Sequence, residues 1–532
     1  MSMKTMRKNI NGIRRAICLM TAVAALCAAA QQRLVINIVV DQLQSDYVEL
    51  LRPQFGNDGF NRLINNGISF DNVEFDCANV DEASGTAMIM TGTYANINGI
   101  PAATVFNTET MIPDPILRDP KIIGNFTTDT YSPARLKVST ISDEVRVNND
   151  GLGYVCALAA DAQMAILLAG HAANSVFWID DLSGKWASTT FYKEPAQCVT
   201  TRNHSTPLWG RIDNMVWEPL LSLDQYPHIP ETLRYYKFNY NFPQSRIDRY
   251  KQFKQSALVN EEIATVAIEH IRSLSLGRRG QTDMINIGFT AAPYSYAKNT
   301  DNRIELMDTY LRLDRELARI FTYVEKEVGM QNVVVMLTGT GHLAGDAKPD
   351  EKFNIPGGVF YADRAISLMN MFLIAKFGNG QWVTGFHNSR FFLNRKLANE
   401  RNVDLEILHA EAAQFVRQMS GVAAAYTYEE ILRNPTNDQL EALHRSMQPD
   451  IEGDIVVQTS PGWSIQEQLP NGRTIVTNVR SNAICTPAFI MAPGIAARRE
   501  PQPIKAIVLA PTLARLLRVH PPNAASLAPL AL

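Results

Sequence analysis

Leu34-Val35-Ile36-Asn37-Ile38-Val39-Val40-Asp41 is the stretch whose reading decides the fold. It is short, rich in β-branched residues and apolar almost without interruption, and it ends on an acid. A strand buried on both faces of a parallel sheet has this composition, whereas a half-solvated strand alternates apolar with polar residues. Similar runs recur at Met284 to Phe289, Val333 to Thr338 and Ala488 to Met491. Between the first two of these, Asn302 and Glu305 read as a capping-box start, and Leu306, Tyr310, Leu313, Leu317 and Ile320 fall on one helical face. Strands alternating with helices predict an α/β fold: a doubly wound, mostly parallel sheet flanked by helices. Ligands in such folds sit beyond the carboxyl ends of the strands, where Asp41 lies.

Two stretches interrupt the alternation. Residues from about 150 to 265 are rich in aromatics and proline, as in Pro207-Leu208-Trp209 and Tyr235-Tyr236-Lys237-Phe238-Asn239-Tyr240. Residues from about 345 to 480 mix helical runs with Gly-rich turns. Both read as cap insertions in one domain spanning 31–532. Pro511 to Arg518 reads as a closing helix with proline near its first turn.

With 532 residues, 46% of them hydrophobic, the chain can bury a large core. The start reads as a secretory signal peptide over residues 1–30: Lys4, Arg7, Lys8, Arg14 and Arg15 precede an Ala- and Leu-rich run ending at Ala28-Ala29-Ala30. That run is shorter than the roughly 20 residues a membrane span needs, and no later segment is long enough, so no transmembrane segment is expected after cleavage. Removing those five basic residues leaves 45 Lys and Arg against 53 Asp and Glu, which offers no broad basic field for nucleic acid. Cys77, Cys156, Cys198 and Cys485 then face an oxidising compartment, with Cys156 and Cys198 the expected pair if a disulfide forms.

Several segments share their order and spacing with a known group. These are Val39-Val40-Asp41-Gln42, Gly59 to Phe70, Met90-Thr91-Gly92 with Asn98-Gly99-Ile100, Ser139 to Glu144, and Ala169 to Asn174 with Gly184-Lys185-Trp186. Leu313 to Leu317 and Ile355-Pro356-Gly357-Gly358 extend the match. The chain resembles the periplasmic alkaline phosphatases of the nucleotide pyrophosphatase/phosphodiesterase branch of the alkaline phosphatase superfamily. The resemblance implies an alkaline-phosphatase-like fold in the periplasm or cell envelope of a Gram-negative bacterium. It also implies two zinc ions, held by Asp and His, that activate a Thr or Ser nucleophile.

Carried over residue by residue, that machinery is nearly absent. Asp41 matches the first metal-ligating Asp and is the only residual ligand. The pair that follows the nucleophile aligns with Gly85-Thr86, which puts Glu82 at the nucleophile position. Pro293 and Ala297 stand where an Asp and a His would bind zinc, and Thr340 and Gly341 replace another Asp and His, with His342 one residue late. Thr474 to Thr486 offers no final His. In the phosphate clamp, Asp161-Ala162-Gln163 replaces a Lys-x-Arg pair and Ala103 an Asn.

The resemblance with these losses implies a pseudoenzyme: a binding or scaffold component whose partner is another envelope protein, with no zinc cofactor. The alternative is a metal-dependent phosphatase or phosphodiesterase with a rebuilt site, in which Asp41, Asp81 and Glu82 converge on a single Ca or Mg ion. Against that, Asp81 and Glu82 also suit a helix start. His171 reads as a structural hydrogen-bonding residue, and His342 and His387 as surface histidines in polar turns. The aromatic clusters at 207–209 and 235–240 read either as core packing of the cap or as a carbohydrate- or peptide-binding face.

Overall fold

The computed structural model describes residues 32–532 apart from 149, 194–195, 300, 344–356, 434–436, 470–471 and 479–484. The expected signal peptide and Ile355-Pro356 of the Ile355 to Gly358 turn lie outside the described residues. The central strands are β1 (Leu34–Asp41), β2 (Ile68–Glu74), β3 (Val155–Leu158), β4 (Ser175–Ile179), β5 (Trp186–Thr189), β6 (Asp283–Thr290), β7 (Val333–Gly339), β8 (Thr486–Met491) and β9 (Arg498–Glu500). They order as β9-β2-β8-β7-β1-β6-β3-β4-β5, with short edge strands completing the sheet. β7, β1, β6, β3 and β4 run parallel. β8 runs antiparallel to both β7 and β2.

β1 sits at the middle, paired along its length with β6 and β7, and every residue in it is buried. Its alternation splits the run between two cores. Leu34, Ile36, Ile38 and Val40 face one, and Val35 and Val39 face the other. Asn37 survives there because its amide donates to Asn286 Oδ1 of β6 at 2.8 Å.

The helices that cover the sheet faces include α1 (Ser45–Leu51), α2 (Phe60–Asn66), α3 (Glu82–Thr91), α4 (Ala162–Ala169), α5 (Arg249–Gln255), α6 (Leu258–Ser273) and α7 (Arg303–Glu327). A closing helix, Leu509–Leu517, packs on the face that holds α3 and α4. In α7 the apolar stripe from Leu306 to Ile320 is buried as its periodicity requires. Its start differs from the expected capping box. Asn302 makes no side-chain cap, and Glu305 turns inward to accept from Tyr240 Oη at 2.8 Å and Tyr236 Oη at 3.0 Å.

The stretch from about 150 is not an insertion at its outset. Residues 155–189 supply β3, β4 and β5 to the central sheet, and the aromatic-rich segment begins only after them. The sequence reading missed these strands because each is only four or five residues long. Beyond residue 357, two small sheets and their helices enclose a separate core of Trp382, Phe391, Leu408 and Val457. Cys77, Cys156, Cys198 and Cys485 are all free thiols, so the expected Cys156–Cys198 bridge is absent. Cys156 is buried in β3, while Cys198 Sγ turns toward His270 Nδ1 at 3.6 Å.

Candidate functional site

The carboxyl ends of β1, β6 and β7 open beside the start of α3. Asp41 closes β1, and Gln42 after it takes a left-handed turn, φ 60°, that brings its amide to Asp41 Oδ2 at 3.2 Å. Asp41 Oδ1 accepts from the Thr340 hydroxyl at 2.8 Å. Burial pushes the Asp41 pKa up, and His342, Thr340 and Gln42 only partly oppose it. Thr340 is fully buried, so the position where the resemblance leads one to expect a metal ligand holds a hydrogen-bond donor to Asp41.

Gly341 has φ 70°, and a Cβ there would meet the Phe75 ring. The space for a side chain is therefore filled by an aromatic. His342 Nδ1 lies 3.1 Å from the Val80 carbonyl oxygen. Beyond β6, Pro293 and Ala297 flank Tyr294, whose buried ring packs on Trp217 and Tyr240 at centroid distances of 5.1 and 4.7 Å. Zinc takes Cys, His, Asp or Glu donors in tetrahedral sets, and these residues do not fit that requirement. Among the described residues, no group of three His, Cys, Asp or Glu side chains converges as a metal site.

Asp81 and Glu82 occupy the start of α3. Asp81 is its N-cap: Oδ1 accepts from Ser84 N at 2.9 Å, and the Ser84 hydroxyl meets the Asp81 N–H at 2.9 Å. Its other oxygen accepts from Ala103 N at 2.6 Å. Both Asp81 oxygens thus accept from backbone N–H groups, as a helix N-cap requires. Glu82 makes no side-chain hydrogen bond among the described residues. Burial, then Asp161, Asp41 and Asp81, push its pKa well above the usual carboxylate range, against a weaker pull from Lys254.

Lys254 is the group that sequence reasoning missed. It rises from α5 with only 8% of its side chain exposed, and its ammonium lies 2.6 Å from both Asp161 and Asp181. Burial disfavours the charge, but Asp161 and Asp181 outweigh it and hold the ammonium protonated. The charge of Asp161 is thus balanced by a lysine 93 residues further along the chain. Nothing local in Arg249-Tyr250-Lys251-Gln252-Phe253-Lys254 distinguishes it from an ordinary basic helix.

The other candidates resolve individually. His171 bonds Asp143 Oδ2 at 3.1 Å and the Leu136 carbonyl at 3.0 Å, a structural role. His387 is not on the surface: it is buried between Glu467 and Thr104, at 2.9 Å from each. Its turn is covered by the strand Trp463–Gln468, which the sequence reading did not place there. Of the aromatic clusters, Tyr236, Phe238 and Tyr240 pack inward against Trp217 and Glu305, whereas Tyr235 and Trp209 are exposed.

Residues 35–478 match the family model described as type I phosphodiesterase/nucleotide pyrophosphatase. The alkaline phosphatase PafA of Elizabethkingia meningoseptica is 25% identical over 523 residues, covering 94% of both chains. The alkaline phosphatase PhoV of Synechococcus elongatus is 29% identical over 332 residues, 59% of this chain and 60% of that protein. The crystal structure of wild-type PafA superimposes with a TM-score of 0.81 at 24% identity, covering 94% of this chain and 99% of that one. That likeness establishes an alkaline-phosphatase-like fold.

Proposed function

Because the chain belongs to the type I phosphodiesterase/nucleotide pyrophosphatase family yet carries Glu82, Pro293, Ala297, Thr340 and Gly341 at its sheet head, we propose that it is a catalytically silent member, a binding or scaffold component of the cell envelope. The observation that carries this reading is the 2.8 Å bond from Thr340 Oγ1 to Asp41 Oδ1. The threonine hydroxyl satisfies the buried carboxylate by donating a hydrogen bond, where a second ligand would share a cation with it.

The charge around the site supports the same reading. A phosphohydrolase surrounds its substrate with dications and basic side chains. Here Lys254 is engaged by two aspartates, which leaves Asp41 and Glu82 facing any incoming phosphate. The N-terminal segment supports export, and among the described residues no helix is long and apolar enough to cross a membrane. Its partner is then another envelope protein.

The second reading, a metal-dependent phosphoric-ester hydrolase with a rebuilt site, draws support from Glu82, whose raised pKa suits a proton donor. Elemental analysis after zinc, calcium or magnesium loading, paired with affinity capture from native envelopes, separates the two. Silence expects no stoichiometric metal and a co-purifying envelope protein. A bound metal lost in Asp41→Ala favours the rebuilt site.

A further inference from the structure

Thr104, His387 and Glu467 form a hydrogen-bonded relay that uses none of Asp41, Glu82, Asp161 or Lys254. Thr104 opens the strand Thr104–Asn107, His387 ends the strand Val383–His387, and Glu467 lies in Trp463–Gln468, so three different sheets each supply one member. His387 Nδ1 lies 2.9 and 3.2 Å from the two Glu467 carboxylate oxygens. Its other ring nitrogen, Nε2, lies 2.9 Å from Thr104 Oγ1. An ionised carboxylate only accepts, so Nδ1 carries the ring proton and Nε2 turns its lone pair to the threonine hydroxyl. A hydroxyl in reach of an imidazole whose far nitrogen is held by a carboxylate is the arrangement that activates a hydroxyl nucleophile.

Packing holds the three members in register. The Asn388 amide donates to the Thr104 carbonyl oxygen at 2.8 Å, and Phe106, two residues along the same strand, stacks on Phe392 with ring centroids 4.5 Å apart. Gly385 leaves the Phe106 ring a space that a Cβ would fill. His387 and Glu467 are 3% and 8% exposed, whereas Thr104 and its neighbours Ala102, Ala103 and Val105 are partly exposed. The base and the acid that orients it are thus enclosed, and the hydroxyl stands at the outer end. A cavity of about 1030 Å³ opens beside it, with Val105, Phe106 and Phe392 among its walls.

The surroundings narrow the substrate. Ala103, immediately before Thr104, donates its N–H to Asp81, and Asp81 adjoins Glu82. A phosphate would approach Thr104 past these carboxylates and be repelled, whereas an uncharged acyl group can rest on Val105, Phe106 and Phe392.

We propose that Thr104 is the nucleophile of a carboxylic-ester hydrolase activity, with His387 as its general base and Glu467 as the residue that positions the imidazole. Thr104 Oγ1 bonds to the ester carbonyl carbon as its proton passes to His387 Nε2. The bond from that carbon to the leaving oxygen then breaks, and the imidazolium returns the proton to the departing alcohol. Water repeats the sequence on the acyl-threonine, releasing the carboxylic acid and restoring the hydroxyl. The relay shares no residue with the zinc machinery that the sheet head lacks, so the activity does not depend on phosphoryl transfer there.

The test is hydrolysis of p-nitrophenyl acetate and p-nitrophenyl butyrate by the purified protein. Release of p-nitrophenol is expected at least tenfold faster than from the same protein unfolded in urea, with an acetyl group mapped to Thr104 by mass spectrometry after acid quenching. Thr104→Val keeps the shape of a partly exposed side chain without its hydroxyl and should lower the rate at least tenfold, while Thr104→Ser should retain it. His387→Gln should lower it at least tenfold as well. Glu467→Gln should move the rising limb of the pH–rate profile to lower pH, since the imidazole loses its carboxylate, a change that a merely structural role would not produce. Release no faster than from the unfolded protein overturns the proposal. So does a rate unchanged in Thr104→Val, which would leave the relay as a bridge between sheets, or acetylation confined to residues other than Thr104.

Discussion

Thr340 Oγ1 donates to Asp41 Oδ1 at 2.8 Å, joining the carboxyl ends of two adjacent parallel strands across 299 positions of sequence. Asp41 is held as a buried, hydrogen-bonded acid whose pKa burial has raised. Placing a second carboxylate beside it should be costly. Thr340→Asp is expected to destabilise the protein by about 1–3 kcal/mol at pH 8, through lost hydrogen bonding and like-charge repulsion, and by less at pH 5, where one carboxyl holds a proton. Denaturant titrations at both pH values, with and without zinc, check this. Zinc should not recover the loss, because Gly341, Pro293 and Ala297 add no donors.

Glu82 gives a pH dependence of definite sign. Its folded pKa is raised above the unfolded value, so above about pH 4.3 the native state binds more protons than the unfolded state. The slope of stability against pH is then negative, and this group's contribution falls as pH rises toward the folded pKa. Asp41 shifts in the same direction, and the two titrate as a coupled pair. Glu82→Gln keeps the shape without the charge. It should be more stable than the parent at pH 8, within the roughly 0.5–3 kcal/mol scale of single substitutions, and indistinguishable near pH 4. Urea unfolding across that range reads the difference.

Lys254 is nearly enclosed, while its partners Asp161 and Asp181 keep 53% and 41% of their side chains exposed. Lys254→Met therefore strands two acids that can still be hydrated. The cost should be about 1–3 kcal/mol, below the 3–5 kcal/mol of breaking a fully buried pair. Asp161→Asn in the same chain should return part of it, and a double-mutant cycle measures the coupling.

The second core carries its own titrating group. His409 lies 3.0 Å from Glu429 and 3.2 Å from Asp454, and it is buried with Asp454. Burial opposes its charge, but the two carboxylates outweigh it and raise its pKa. The stabilisation is fully present below the unfolded pKa near 6.5 and is lost as pH rises through the folded value. Asp454, held low by His409 and Arg395 against its burial, contributes above its unfolded value and fades as pH falls. His409→Gln should therefore raise hydrogen exchange in 405–457 more at pH 6 than at pH 9. Equal effects at both would remove the ion pair from the explanation.

How much of this could be read from the sequence depended on how local each signal was. The strand ending at Asp41 and the stripe of α7 are contiguous patterns, and both stand where they were expected. The replacements at Thr340, Gly341, Pro293 and Ala297 were legible because a resemblance fixed their register. The Lys254 pair with Asp161 was not, since it joins side chains 93 positions apart and neither residue is unusual on its own helix. Glu305 misled for a related reason. Its spacing from Asn302 suits a cap, yet Tyr236 and Tyr240, brought in by a distant segment, capture its carboxyl group. His387 was hidden in the same way by Glu467, 80 residues away.

Turnover separates a silent protein from a working phosphohydrolase. Purified protein supplied with zinc is to be assayed for p-nitrophenol release from p-nitrophenyl phosphate and bis(p-nitrophenyl) phosphate, beside Asp41→Ala and Glu82→Thr. No release above buffer is expected from the parent or from either variant, because Asp41 alone cannot hold a metal pair and one hydroxyl cannot replace it. Steady turnover by the parent that Asp41→Ala abolishes would contradict this expectation and return the protein to the working phosphohydrolases.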